Sequence, residues 1–563
     1  MKPGRCEVDR SSVPKMTVTD SIPMLPGFLQ PKVRHAMLAA HSHGCAMADL
    51  LSRRTFGQLL GAAVILPVVR DWHGTSSEKM HSDPRDIAAS AADEITSLSA
   101  LEIAGRIRRK ELSAREVMEA HLARIERVNP QVNAIVTLVS EKARAWAKEA
   151  DEKQARGEPL GPLHGLPVAH KDLVETAGIR TTRGSPYYKD YVPTNDALIV
   201  KRLRAAGAIT LGKTNTPEFG AGSNTFNPIF GATKNGFDRT RTVGGSSGGA
   251  ACALNCNLVP IADGSDTGGS LRNPAAWNNV VGLRPSPGRV PDDDGSWSPL
   301  STSGPMARSV ADLALMLSAV AGYYPNDPTA LTDDPSVFRG PLERSVNGVN
   351  SVKGARIAWF TTMGGLPFEP EILRVVHANR KAFADLGCIV EDAEPDFTGV
   401  DDAFLVLRHQ SYHSNYAQIA RENPAMVKDT VKWEIAEAER ETAADVARAS
   451  ARQAKMWRDM AVFFAKYDAF VCPVTQVEPF TTDVEYPTSV NGTAMPTYID
   501  WMRSCWYVTF MQCPAISVPA GFSAKGLPVG LQIVGKPRGD LALLQLAHAF
   551  EQATMFGSRR PSL

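Results

Sequence analysis

Several things are scarce in this sequence, and each scarcity excludes something. Eight cysteines in 563 residues are too few to staple a fold together, and the close pair Cys252 and Cys256 has no neighbouring His or Cys pair to complete a zinc site. Those two read as small buried hydrophobes. Excess charge is also missing: 61 Lys and Arg against 60 Asp and Glu leave a formal charge of +1, with no basic footprint for nucleic acid. The apolar run Gly57 to Val69 has 13 residues where a spanning helix needs about 20, so no stable membrane insertion is expected. Repeats and low-complexity tracts are absent from residue 93 onward. What is present is an ordinary globular composition, 43% hydrophobic and 21% charged, long enough for one large core or several.

The N-terminal part reads differently from the rest. Residues 47–70, with Arg53 and Arg54 just before the apolar run, look like a twin-arginine export signal, which implies a periplasmic or secreted protein. Asp49 in the basic region and the lack of a small-x-small cleavage site favour the alternative, a cytoplasmic protein with a surface tail. Residues 1–46 precede that signal and read as a disordered extension or a mis-assigned start, with Met47 as the start. His35, His41, His43 and Cys45 fall in this stretch and are not assigned to a metal site. Residues 71–92, rich in Ser, Asp, Ala and Gly, suit a solvated linker.

From residue 93 the pattern alternates between helical and extended. Ser113 and Glu116 form a capping box, and Met118, Leu122, Ile125 and Val128 recur at helical spacing, predicting a helix that stops at Pro130. Strand-length apolar runs bounded by breakers follow at Ala208–Leu211, Leu258–Ala262, Arg356–Phe360, Ala469–Cys472, Ala515–Val518 and Val529–Val534. Between them lie helical stretches, notably 405–465 and 540–553, the second with Asp540 as N-cap. Such alternation predicts an α/β fold with a mixed or parallel sheet and no linker dividing 93–558.

Chemistry concentrates in three short strings. Gly264 to Pro274 reads GSDTGGSLRNP directly after an apolar strand, so a glycine turn presents Ser270. Gly268 and Gly269 free the backbone to bring consecutive N–H groups beside that hydroxyl, as an oxyanion hole requires. Asn273 and Pro274 then read as N-cap and first residue of a helix. A phosphate-binding or purely structural turn would use TGGS equally well. The second string, Gly244 to Gly249 (GGSSGG), contains a GxSxG match around Ser246, but the preceding FDRTRTV is too polar for the strand that a nucleophile elbow needs. Ser76 to Lys79 is a similar decoy in the linker. The third string ends an apolar segment at Lys171, where burial would lower the amine toward a usable base. Alone, that lysine reads as a solvated charge.

Together PVAHKD, GGSSGG and GSDTGGSLRNPA, in that order, resemble the amidase signature family. The likeness continues through Leu211–Gly220, Gly282–Val290 and Pro528–Pro537, covering about residues 95–555. It implies one large α/β domain over 93–558, with a mixed, twisted β-sheet covered by helices on both faces. It also implies amide hydrolysis with Ser270 as acyl-enzyme nucleophile, Ser246 as bridging serine after a cis Gly245–Ser246 bond, and Lys171 as proton acceptor and donor. Thr267, Gly268, Gly269 and Ser270 would form the oxyanion hole. Ser247 would help near the lysine, and Asp266 with Arg272 would brace the turn as an ion pair, two solvated charges being the alternative. No metal or organic cofactor is required. The expected partner is a small amide, with room for a homodimer. Two rival readings use the same scaffold: the glutaminase component of a glutamyl-tRNA(Gln) amidotransferase, and a noncatalytic binding protein.

Other residues are weighed more briefly. His170 adjoins Lys171, but neighbouring strand residues point to opposite faces, so it should not share the site. His409 and His413 stand four apart without a completing glutamate and read as satisfied histidines. Trp501, Trp506, Tyr507, Tyr412 and Tyr416 are either core or pocket lining. Specificity is expected from residues near 219–226, 405–420 and 495–510.

Overall fold

The computed structural model describes residues 92–563 except 294–296, 298–299, 344, 347–348 and 351. The expected extension, the signal with Arg53 and Arg54, Ser76–Lys79 and nearly all of the linker lie outside the described residues. Eleven strands form one sheet: β1 Ile135–Leu138, β2 Pro167–Lys171, β3 Ile209–Thr214, β4 Ile261–Asp266, β5 Val281–Arg284, β6 Thr302–Ala307, β7 Arg356–Trp359, β8 Ile389–Asp392, β9 Ala469–Pro473, β10 Ala515–Phe522 and β11 Pro528–Gly535. Their order across the sheet is β1-β3-β2-β4-β6-β5-β10-β11-β9-β7-β8. Parallel pairing joins β3, β2 and β4 on one side and β9, β7 and β8 on the other. The pairings between these two groups are antiparallel, so the sheet is mixed.

Side-chain alternation explains why both faces are covered. Along β2, Val168 packs into the same core as Ile103, Leu203 and Val320, whereas Ala169 packs with Met118, Leu122 and Ala251. Ile261 and Ala262 in β4, and Ala307 and Met306 in β6, divide in the same way. Successive strand residues face opposite sides, so helices Ala100–Arg108, Leu198–Ala205 and Val310–Val320 cover one face, and Ala114–Val132 and Gly248–Asn255 cover the other.

Three boundaries differ from the sequence reading, the first for a local reason and the other two for tertiary ones. The capping box at Ser113 and Glu116 is present, but the helix passes Pro130 and ends at Val132. There Asn133 adopts a left-handed conformation, and its N–H reaches the Asn129 carbonyl at 2.7 Å, closing a last turn in which Pro130 lacks one donor. The apolar run Leu258–Ala262 starts its strand only at Ile261 and continues through the polar residues to Asp266, because β6 pairs with all six of them. Asp540 is the first residue of the helix Asp540–Thr554, not its cap; its carboxylate is taken by the Ser286 N–H at 2.8 Å and Arg289 Nε at 3.1 Å.

The long helical stretch resolves into Val400–Glu422, Asp429–Arg440 and Ala443–Lys466, the last opened by a capping box of Thr442 and Asp445. Tyr412 and Ala417 of the first helix and Val431 and Ile435 of the second form a separate small core with Phe219 and Ala221. That core ties the helical pair to the loop after β3, and both elements reach the site.

Candidate active site

The site grows from the ends of β2 and β4. Asp266, the last residue of β4, is fully buried and organises the turn after it. Its Oδ1 accepts the Gly269 N–H at 2.8 Å, and its Oδ2 accepts the Leu271 N–H at 3.2 Å. Arg272 Nε and Nη2 each lie 3.0 Å from the same carboxylate, a two-point grip between side chains that are both 0% exposed. The pair is thus internal, and the solvated alternative is excluded. Burial alone would raise the Asp266 carboxyl, but Arg272 and Arg284 outweigh it and hold it at about 2. Because Asp266 satisfies these early amides, the helix begins at Arg272 with Leu271 before it, ahead of the expected cap. Asn273 therefore caps nothing, and its amide has no partner among the described residues.

Gly269 has φ +111°, and a Cβ there would sit 2.3 Å from Cys505 Cβ, so conformation and space both require glycine. Its N–H is already held by Asp266, which removes it from the expected oxyanion set. The Thr267, Gly268 and Ser270 N–H groups have no partner among the described residues. Ser270, 8% exposed, lines a cavity of about 660 Å³ together with Ser246, Ser265, Thr267 and Gly268.

The second serine cluster is tied to the first through backbone. The Ser247 N–H donates to the Ser270 carbonyl at 3.3 Å, and the Gly245–Ser246 peptide is cis. Ser246 Oγ lies 2.6 Å from Lys171 Nζ, whose other partner is Ser265 Oγ at 3.1 Å. Ser247 is not that partner: its hydroxyl sits against the Ser265 backbone, 3.3 Å from the N–H and 3.4 Å from the carbonyl. Ser265 thus contacts the lysine directly, and Ser247 braces the backbone of Ser265 beside it. The sequence held a signal for this contact in the serine of GSD, which ends a strand beside the strand that carries Lys171.

Lys171 is fully buried, and burial lowers its pKa to about 7 against the opposing pull of Asp266 and Asp263. It does not itself line the cavity; Ser246 and Ser265 do, and they stand between the amine and the open space. His170 points away, bonding Asp263 through Nδ1 and Thr210 Oγ1 through Nε2 at 3.0 Å. The other oxygen of Asp263 accepts the Lys171 backbone N–H at 2.8 Å.

All three segments expected to set specificity contribute to the cavity: Phe219 and Gly222, then Arg408, Tyr412 and Tyr416, then Met502. Trp501, Trp506 and Tyr507 do not; they stack in the core on Trp277, Phe404 and Phe397. His409 is satisfied at one nitrogen only: Nδ1 lies 2.7 Å from Glu441, while the buried Nε2 has no hydrogen-bond partner among the described residues.

Comparison with known proteins agrees with this geometry. The family model described as Amidase matches residues 116–544. The chain is 37% identical over 83% of its length to an acylamidase of Rhodococcus erythropolis, covering 97% of that protein. It is 36% identical over 84% of its length to a glutamyl-tRNA(Gln) amidotransferase subunit of Carboxydothermus hydrogenoformans, covering 100% of it. Among solved structures, a bacterial aryl acylamidase of the amidase signature family superposes with a TM-score of 0.76 at 28% identity, over 83% of this chain and 100% of the other. A 6-aminohexanoate cyclic dimer hydrolase superposes with a TM-score of 0.74 at 28% identity, over 83% and 99%. With the matched strings, the eleven-stranded mixed sheet and these relatives in agreement, the chain belongs to the Amidase family and is an amide-hydrolysing enzyme.

Proposed function

We propose that hydrolysis proceeds through an acyl-enzyme on Ser270, with Ser246 and Lys171 as the proton relay. The observation that carries this reading is the contact of 2.6 Å between a fully buried amine, Lys171 Nζ, and Ser246 Oγ on the cavity wall that also bears Ser270. Neutral Lys171 takes the Ser246 proton while Ser246 takes that of Ser270, and the Ser270 oxygen bonds to the amide carbon. The Thr267, Gly268 and Ser270 N–H groups receive the charge that develops on the carbonyl oxygen. Collapse breaks the C–N bond, and the relay runs backward to protonate the leaving nitrogen. Water then releases the acid by the same path.

The test is labelling by a fluorophosphonate probe. Ser270→Ala should lose both covalent labelling and turnover with the fold intact. Labelling retained in Ser270→Ala and lost in Ser246→Ala would place the nucleophile in the other cluster.

A cavity of about 660 Å³ falls in the range of about 300–1,000 Å³ typical for drug-sized ligands, which favours aryl or extended amides over the smallest aliphatic ones. Turnover across aliphatic, aryl and peptide amides checks this. The glutaminase reading draws on the 36% identity to the amidotransferase protein. Glutamine as the preferred substrate, with copurifying partner chains, would establish it over the acylamidase reading. Among the described residues no helix is long and apolar enough to cross a membrane. We read Arg53, Arg54 and the run after them as an export signal leading to the periplasm or beyond. Lysine at both positions should trap the protein in the cytoplasm. Light scattering would measure whether the chain forms a homodimer.

A further inference from the structure

We infer that Arg408 is a specificity residue that binds a second, uncharged hydrogen-bond acceptor on the substrate, such as a carbonyl oxygen remote from the scissile bond. The inference rests on the proposed reaction site, since Arg408 lines the same cavity as Ser270.

Arg408 stands on the helix Val400–Glu422 and is only 3% exposed, so its charge must be compensated. Glu434, on the neighbouring helix and fully buried, does this: its Oε1 accepts Arg408 Nε at 2.7 Å. Arg408 Nη2 donates to the Tyr498 hydroxyl at 2.7 Å and the Tyr412 hydroxyl at 3.2 Å. The Tyr498 hydroxyl also bonds Glu434, so the guanidinium is gripped along one edge by three side chains. Its Nη1 has no hydrogen-bond partner among the described residues. A planar cation fixed on one edge, with an unused donor arm and a cavity beside it, is a preorganised acceptor site.

The surroundings decide which acceptor fits. Glu434 already balances the charge of Arg408, and Asp292 and Asp327 line the same cavity, so a carboxylate entering it meets like charge. A neutral carbonyl takes the Nη1 hydrogen bond without that repulsion. Tyr416 stacks on Phe219 with ring centroids 4.3 Å apart, and both line the cavity, offering an apolar surface for the chain between the two carbonyls.

The test compares substrates of equal length on the wild-type enzyme. In the acyl series the 4-nitroanilides carry hexanoyl, N-acetyl-β-alanyl or adipoyl groups, the last ending in a carboxylate. In the amine series the acetamides carry a plain alkyl chain, the same chain with one carbonyl, or the same chain ending in a carboxylate. The carbonyl compound should lead in at least one series, with kcat/KM about 10- to 100-fold above its hydrocarbon match, the worth of one hydrogen bond to a charged donor. Arg408→Lys and Arg408→Met should erase that lead, mainly through KM. No carbonyl preference in either series, or a carboxylate preferred in either, overturns the inference, as does a preference that survives in the folded variants. Because the wild type alone carries the substrate comparison, a variant that fails to fold leaves it decisive. Ser270→Ala keeps the two readings apart: hydrolysis that persists there refutes the relay, whereas loss of hydrolysis there with no carbonyl preference in the wild type refutes only the role of Arg408.

Discussion

Two buried lysines lie one position apart across neighbouring strands, and only one of them is placed to do chemistry. In the register of β2 against β3, Lys171 pairs with Thr214 and His170 pairs with Lys213. Both lysines are fully buried, and burial lowers both, Lys171 to about 7 and Lys213 to about 8. Their partners differ in kind. Lys213 Nζ donates to the Val174 carbonyl and to Thr176 Oγ1 at 2.8 Å, and a carbonyl can only accept, so this amine is most useful as a fixed donor. Lys171 faces two hydroxyls, which accept and donate alike, and both line the cavity. A lowered pKa is therefore not enough to make a base. The amine also needs a partner with a proton to give and a route to the substrate.

The sharpest way to break this comparison is to remove each amine in turn. Lys171→Ala should lower kcat of the folded enzyme by about 10³-fold, within the range for a general acid–base group. In the wild type, activity should rise with pH through about 7, because the proposed relay uses the neutral form of Lys171 and protonation below that pH removes it. The rise should vanish with Lys171→Ala and persist in Lys213→Met. A profile that follows Lys213 would reverse the assignment.

Asp266→Asn probes the charge beneath both the turn and the base. It leaves Arg272 and Arg284 buried without their shared anion and should cost about 3–5 kcal/mol of stability, read by denaturant unfolding. Asp266 is also the strongest group favouring the Lys171 ammonium, so in the folded fraction the rise in activity should move to lower pH. No movement would mean that the base is insulated from this carboxylate.

The same contrast shows what the sequence could and could not disclose. Lys171, Ser246 and Ser270 stood out because PVAHKD, GGSSGG and GSDTGGSLRNPA occur together and in that order, although each string alone had a bland alternative, and six apolar runs announced strands that are present in the sheet. Lys213 falls inside the matching segment Leu211–Gly220 without a reading of its own, since nothing local in the sequence distinguishes one buried lysine from another. Partners brought together by tertiary folding were the ones missed. Arg408 meets Glu434 across two helices, Asp540 is drawn away from capping by Ser286 and Arg289, and Asn273 is forestalled by Asp266. The short edge strands Ile135–Leu138 and Ile389–Asp392 also escaped, because partly exposed edges carry a weak apolar pattern.

Lys213→Met tests the structural half of the comparison. The substitution keeps the length of the side chain but leaves the Thr176 hydroxyl and the Val174 carbonyl without their donor, and it removes the cation that offsets buried Asp172. A loss of about 1–3 kcal/mol is expected for such orphaned groups, with kcat in the folded enzyme within a few-fold of wild type. A kcat loss as large as that of Lys171→Ala would erase the distinction between the two amines.

The smallest effect, and the finest test, concerns which serine steadies the base. Ser265 Oγ is 3.1 Å from Lys171 Nζ, whereas the Ser247 hydroxyl is spent on the Ser265 backbone. Ser265→Ala removes one of two hydroxyls from the amine but spares Ser246, so proton transfer still has its path and only the orientation of Lys171 loosens. One hydrogen bond of this kind is worth about 1 kcal/mol, and kcat should fall about 5-fold with little change in KM. Ser247→Ala acts instead on the turn: it leaves the Ser265 N–H without its acceptor, and its effect should appear first in stability. Alanine at 247 lowering kcat more than alanine at 265, at unchanged stability, would assign the helper role to Ser247.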